Sequence, residues 1–199
     1  PHGRREIQRL MLSSLLGAHR VDVFLAANAR EPERLEAEGL AVPGSRFVYA
    51  EGLLVLWSPE PGVDPETLRR RLISGEFRRL AIANPRTAPY GAAAVQTLSA
   101  LGLEGTFEGR IVYGENIGQA YRFAASGNAD LGLLALSQVK AGQRPGSSWP
   151  VPAELHGPIR QQAVLLTRAA QVPAARAFLA YLAGEEAKTV IQGLGYRVE

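Results

Sequence analysis

The chain has 199 residues, of which 46% are hydrophobic, and a formal net charge of +3. That length suffices for one large domain or two small lobes, and no apolar run approaches the ~18 residues that would cross a membrane. Cysteine is absent, which excludes disulfides, thiolate metal sites and a cysteine nucleophile.

Lys140 and Lys188 are the only lysines, so arginine supplies the other 20 of the 22 basic residues. The arginines are scattered among acids, which argues against nucleic-acid binding. The dense run Arg69-Arg70-Arg71, followed by Arg78-Arg79, reads as a solvated face. The chain begins at Pro1, so the lack of a visible signal peptide carries no weight.

Periodicity predicts a helix over 4–16, with apolar Ile7, Leu10, Met11 and Leu15. A short β-type run, 21–25, precedes Asn28 and a helix over 31–38 that stops at Gly39. Residues 47–49 and 53–57 read as strands split near Glu51-Gly52. Prolines 59, 61 and 65 punctuate a loop before a helix over 66–73. A strand–turn–helix pattern then occurs twice. Residues 80–83 lead through Asn84-Pro85 and Pro89-Tyr90-Gly91 to a helix over 92–101. Residues 110–113 lead through Gly114-Glu115-Asn116 to a helix over 117–125. A third apolar strand covers 131–136, a Gly/Pro/Ser-rich loop 141–158, and a strand 162–167. Helices over 173–182 and 185–192, divided at Gly184, close the chain before the tail 196–198. Strands alternating with helices predict an α/β fold with a mainly parallel sheet.

Catalytic patterns are lacking. His2, His19 and His156 stand in no metal-ligand spacing, and no carboxylate pair, nucleophile elbow, P-loop or dinucleotide fingerprint is present. The repeated strand–turn–helix unit is more informative. It turns a helix N-terminus outward at the carboxyl end of a strand, where open α/β sheets bind ligands. The first turn of a helix leaves N–H groups unpaired at the positive end of the macrodipole, so an anion can be held without a cationic side chain. In the first unit Pro89 fixes the backbone, Gly91 permits close approach, and the Tyr90 N–H is the candidate donor. In the second, Asn116 is the N-cap and Ile117 N–H the matching donor. On these residues alone, two ordinary βα turns explain the pattern better than an anion site does.

Several segments, in order, resemble the periplasmic molybdate-binding proteins of ABC transporters. They are Val21-Asp22-Val23-Phe24-Leu25-Ala26-Ala27-Asn28, Asn84-Pro85 through Pro89-Tyr90-Gly91, and Gly114-Glu115-Asn116-Ile117 with Gln119-Ala120. Further on come Ala129-Asp130-Leu131-Gly132 with Ala135-Leu136-Ser137-Gln138, then Phe178-Leu179, Tyr181-Leu182, Ala187 and Gly195-Tyr196. The resemblance covers roughly residues 21–199.

It implies a type II periplasmic binding protein fold, two α/β lobes with a ligand cleft between them. Lobe 1 would comprise 1–50 and 166–199, and lobe 2 would comprise 51–165. It implies molybdate or tungstate as the ligand, held by the backbone N–H groups of Tyr90 and Ile117 beside Asn116. No cofactor and no metal other than the bound molybdate are expected, nor any enzymatic activity. The expected partner is the membrane permease of an ABC transporter, and the protein is expected to be a periplasmic or otherwise extracytoplasmic monomer. Ala135 stands where some members carry a ligand tyrosine. Lobe 1 is expected to lack its first strand, an apparent N-terminal truncation, and Ser13 and Ser14 take no ligand role. The alternatives are a binder of sulfate or an organic anion, and a regulatory effector domain of the same fold.

Overall fold

The computed structural model describes residues 21–142 and 144–198. The helix expected over 4–16, with Ser13 and Ser14, lies outside the described residues, as does the question of a missing first strand.

Two sheets organise the chain. The first contains β1 (Val23–Ala26), β2 (Phe47–Gly52), β8 (Ile159–Leu165) and β9 (Tyr196–Arg197), in the order β1-β8-β2-β9. Every pairing in it is antiparallel. The second contains β3 (Leu54–Ser58), β4 (Leu80–Ala83), β5 (Ile111–Gly114), β6 (Leu131–Ala135) and β7 (Ser147–Pro150), in the order β5-β4-β6-β3-β7. Here β4 runs parallel to β5 and β6, while β3 is antiparallel to β6 and β7. The expectation of a mainly parallel sheet therefore holds for three strands only. Alternation of strands and helices marks βαβ units, but it does not reveal the direction of strands joined across a change of sheet.

The chain passes from the first sheet to the second at Leu53, between β2 and β3, and returns between β7 and β8. Residues 159–165 pair with β1 and β2, in the first sheet rather than with residues 51–158 as the sequence had suggested. The apolar run Ala163-Val164-Leu165-Leu166 marks a buried strand but says nothing of its neighbours.

The helices are α1 (Arg30–Ala37), α2 (Pro65–Ser74), α3 (Pro89–Ala100), α4 (Ile117–Ala125), α5 (Leu136–Ala141), α6 (Pro173–Leu182) and α7 (Glu185–Gly193). Local chemistry sets their ends. Asp64 caps α2 by accepting from Thr67 N at 2.9 Å, with Pro65 at the first position, and Gly75 ends it in the left-handed region at φ 73°. Alternate strand residues sort the core of the second sheet. Leu54, Leu56, Leu80, Ile82 and Leu133 pack under α2 and α3, while Val55, Trp57, Ala81, Ala83 and Leu134 pack under α4. The small Ala81, Ala83, Ala120 and Ala124 bring α4 close to the sheet. The first sheet is covered by Leu35 of α1 on one face and by Leu179, Leu182 and Ile191 of α6 and α7 on the other.

Two elements were not legible. Leu136 begins a helix of six residues rather than ending a strand, and six residues are too few to show a helical period. Ser147–Pro150 is an edge strand inside the expected loop; it lacks alternation, and its proline is tolerated because it lies at an edge. The third helix also begins at Pro89, three residues before the expected Ala92.

Candidate anion site

The carboxyl ends of β4 and β5 are adjacent, with Ala83 paired to Gly114, and Asn84 N donates to Gly114 O at 2.7 Å. Both α3 and α4 start from that edge, on opposite faces of the sheet. Two glycines allow it. A Cβ on Gly91 would lie 2.2 Å from Ala83 O, and one on Gly114 would lie 2.5 Å from Ala120 N. Only backbone without a side chain lets each helix start this close to its strand.

At α3 the turn is held by Asn84, whose Oδ1 accepts from Arg86 N at 3.0 Å and whose carbonyl accepts from Ala88 N at 2.9 Å. Pro89 occupies the first helical position and has no N–H. Ala88 O accepts from both Gly91 N and Ala92 N, at 3.0 and 3.1 Å, which leaves the Tyr90 N–H open at the second position. The Tyr90 ring turns inward and is 5% exposed. Burial first, and then the neighbouring Tyr196, push its phenol well above the ordinary value, with Ser137 acting in the other direction and Tyr49 adding a smaller rise. Among the described residues, no hydrogen bond of acceptable geometry satisfies its hydroxyl. The nearby Tyr49 is raised to about 12, by burial and then by Tyr196.

At α4 Asn116 is the N-cap, and its Oδ1 accepts from Gln119 N at 2.9 Å. Gln119 Oε1 reaches back to Glu115 N at 2.6 Å, the reciprocal arrangement of a capping box displaced by one residue. Asn116 O takes Ala120 N at 3.1 Å. Among the described residues, the N–H groups of Ile117 and Gly118 have no partner. Sequence reasoning named Ile117 and missed Gly118. The signal was present, because an Asn N-cap with Gln at the third position occupies the third N–H and frees the first two.

Tyr90, Asn116 and Ile117 are thus brought to one sheet edge, with backbone N–H groups and no acid among the groups that cap the two helices. Such an edge can accept a small anion through charge-assisted hydrogen bonds. The site places no His, Cys or carboxylate cluster, and the described residues hold no group of three or more metal-ligating side chains. Ala135 ends β6 and presents no hydroxyl.

Clefts of about 490 and 500 Å³ lie instead beside α2, near the amino edge of the parallel strands. A third of about 460 Å³ lies along β2 and β9. Several of their charged residues are engaged in ion pairs, including Arg71–Glu60 at 2.6 Å, Arg78–Asp130 at 2.9 Å and Arg197–Glu51 at 3.5 Å.

Residues 8–197 match the family model described as bacterial extracellular solute-binding protein. A molybdate-binding protein of Azotobacter vinelandii is 52% identical over 181 residues, which span 89% of this chain and 71% of that protein. A second, from Rhodobacter capsulatus, is 47% identical over 179 residues, 89% of this chain and 69% of that one. Among solved structures, the periplasmic molybdate-binding protein of Azotobacter vinelandii superposes with a TM-score of 0.82 at 40% identity, covering 95% of this chain and 83% of its own. Like these relatives, the chain is a binding protein and not an enzyme. It belongs to the bacterial extracellular solute-binding proteins, and within them to the periplasmic molybdate-binding family.

Proposed function

We propose that this protein captures molybdate or tungstate and delivers it to the membrane permease of an ABC transporter, outside the cytoplasm. The observation that carries the reading is the convergence of the open N–H groups of Tyr90, Ile117 and Gly118 on one sheet edge, in a chain 52% identical to a molybdate-binding protein. The lobes follow the sheets, one built on 21–52 and 159–198 and the other on 54–150, with the anion between them. Closure is a hinge motion about the two passages between sheets. The protein acts as a monomer, without cofactor or nucleic acid, and in the periplasm.

The chemistry follows from the donors. A fully deprotonated tetrahedral dianion offers only acceptors, and neutral N–H groups at two helix N-termini supply only donors. Monohydrogen phosphate would leave its proton unanswered there. Sulfate is smaller and reaches fewer donors at once. Molybdate and tungstate are nearly equal in size and bind alike.

Isothermal titration with molybdate, tungstate, sulfate and phosphate tests this. Tight binding of the first two alone is the expected result. Tight binding of sulfate or an organic anion instead would replace the reading with that alternative, and silence with all of them would reject it.

A further inference from the structure

The Tyr90 side chain does something that an anion donor does not need. Its main chain sits in the first turn of α3, yet its ring runs back to the strands that join the two sheets. A Cβ built on Gly52 would lie 2.1 Å from Tyr90 Oη, 2.7 Å from Tyr90 Cζ and 3.2 Å from Ile159 Cγ2. Gly52 is the last residue of β2, Ile159 is the first of β8, and the two are paired. One chain passage between the sheets leaves from Gly52 and the other arrives at Ile159, so the ring sits against both. Ile159 and Tyr90 also share one buried cluster.

Among the described residues the hydroxyl is buried without a hydrogen bond of acceptable geometry, although Ser137 of α5 and Tyr49 and Tyr196 of the first sheet are near. Packing against Gly52 and Ile159 seats the ring. Gly52 lacks a side chain where the ring takes its space.

We infer that Tyr90 is a positioning residue, its ring wedged at Gly52 and Ile159 so that the relation between the two sheets is carried to the backbone N–H that meets the anion. The inference rests on the anion reading above. Rotation about the two passages moves Gly52 and Ile159, the ring moves with them, and the rigid first turn of α3 moves with the ring. Closure and the placing of a donor become one event.

Molybdate dissociation constants for wild type, Y90L, Y90F, G52A and Y90L/G52A test this, together with the thermal midpoint of each free protein. Leucine keeps the N–H and removes the ring. We expect Y90L to weaken binding about fivefold and Y90F to bind at least threefold tighter than Y90L. G52A should weaken binding at least tenfold in the wild-type background and less than twofold in the Y90L background, because contacting residues couple in a double-mutant cycle. Equal losses from G52A in both backgrounds, with cooperative melting in each, overturn the inference. If G52A does not melt cooperatively, Y90L decides: wild-type affinity in Y90L, or equal affinity in Y90L and Y90F, overturns it. A wild type that ignores molybdate rejects the anion reading and the inference with it, whereas additive losses in a wild type that binds reject the inference alone.

Discussion

Replacing Gly91 with alanine is the sharpest test of how the strand end and the helix start are joined. The new Cβ would sit 2.2 Å from Ala83 O, 2.7 Å from Ala83 C and 2.8 Å from Asn84 C. All three are backbone atoms at the end of β4, so no side chain can swing away. Non-bonded heavy atoms settle about 3.5 Å apart, so the first turn of α3 has to retreat by about 1 Å. Overpacking of this kind costs about 1–3 kcal/mol, which lowers the midpoint of a chain this size by about 2–12 °C. The Tyr90 N–H moves with the turn. A shift of about 1 Å carries a hydrogen bond of normal length out of range, so molybdate affinity should fall at least tenfold. Gly193, the last residue of α7, is the internal control: a Cβ there meets nothing within 4 Å. G193A should leave affinity unchanged and stabilise by up to about 1 kcal/mol, because alanine loses less backbone freedom on folding. Differential scanning calorimetry and titration calorimetry on both variants read the comparison. A G91A protein with wild-type midpoint and affinity would show that the close approach of Gly91 to Ala83 does not set the position of the α3 start.

Three further outcomes are expected. N116A removes the acceptor for Gln119 N and should cost about 1 kcal/mol; the fraying of the first turn of α4 should weaken molybdate several-fold, seen by the same titration. Y90F deletes a buried hydroxyl that makes no hydrogen bond of acceptable geometry among the described residues, so the free protein should be stabilised by about 1 kcal/mol or more; a lower midpoint would show that the hydroxyl is satisfied, with Ser137 the nearest candidate. Asp130 is raised by burial, but the Arg78 side chain and the N–H groups of Arg79 and Arg78 outweigh this and hold its carboxyl below the ordinary value. A depressed folded pKa gives stability that is present above the unfolded value of about 3.9 and lost as pH falls through the folded one. The midpoint gap between wild type and D130N should therefore be widest near neutrality and close in acid, and a gap that is constant with pH would contradict the pairing.

Much of the fold was legible because chemistry and period agreed. Pro65 marks the start of α2, and the apolar runs read over 80–83 and 131–136 are strands buried on both faces, the second ending one residue early at Ala135. The two strand–turn–helix units could be read for the same reason, with Pro89 and Gly91 marking one turn and Gly114 and Asn116 the other. What escaped was non-local. The sequence of Ile159–Leu165 would suit a strand of either sheet, and only its pairing with Val23–Ala26 and Phe47–Gly52 assigns it to the first. α5 is one and a half turns long and continues the apolar run of β6, so its start at Leu136 leaves no signature. The backbone donors could be found at both helix starts, but the meaning of Gly52 could not. Nothing near it in sequence tells that Tyr90, 38 residues further on, takes its space.

The central claim is that an oxyanion rests on backbone N–H groups at two helix starts. Amide resonances of ¹⁵N-labelled protein titrated with molybdate test it most directly. Large shifts are expected at Tyr90, Ile117 and Gly118, saturating together, with little response to sulfate at the same concentration. Shifts confined to the charged cleft around Arg160, Lys188 and Arg197, with those three amides unmoved, would contradict it.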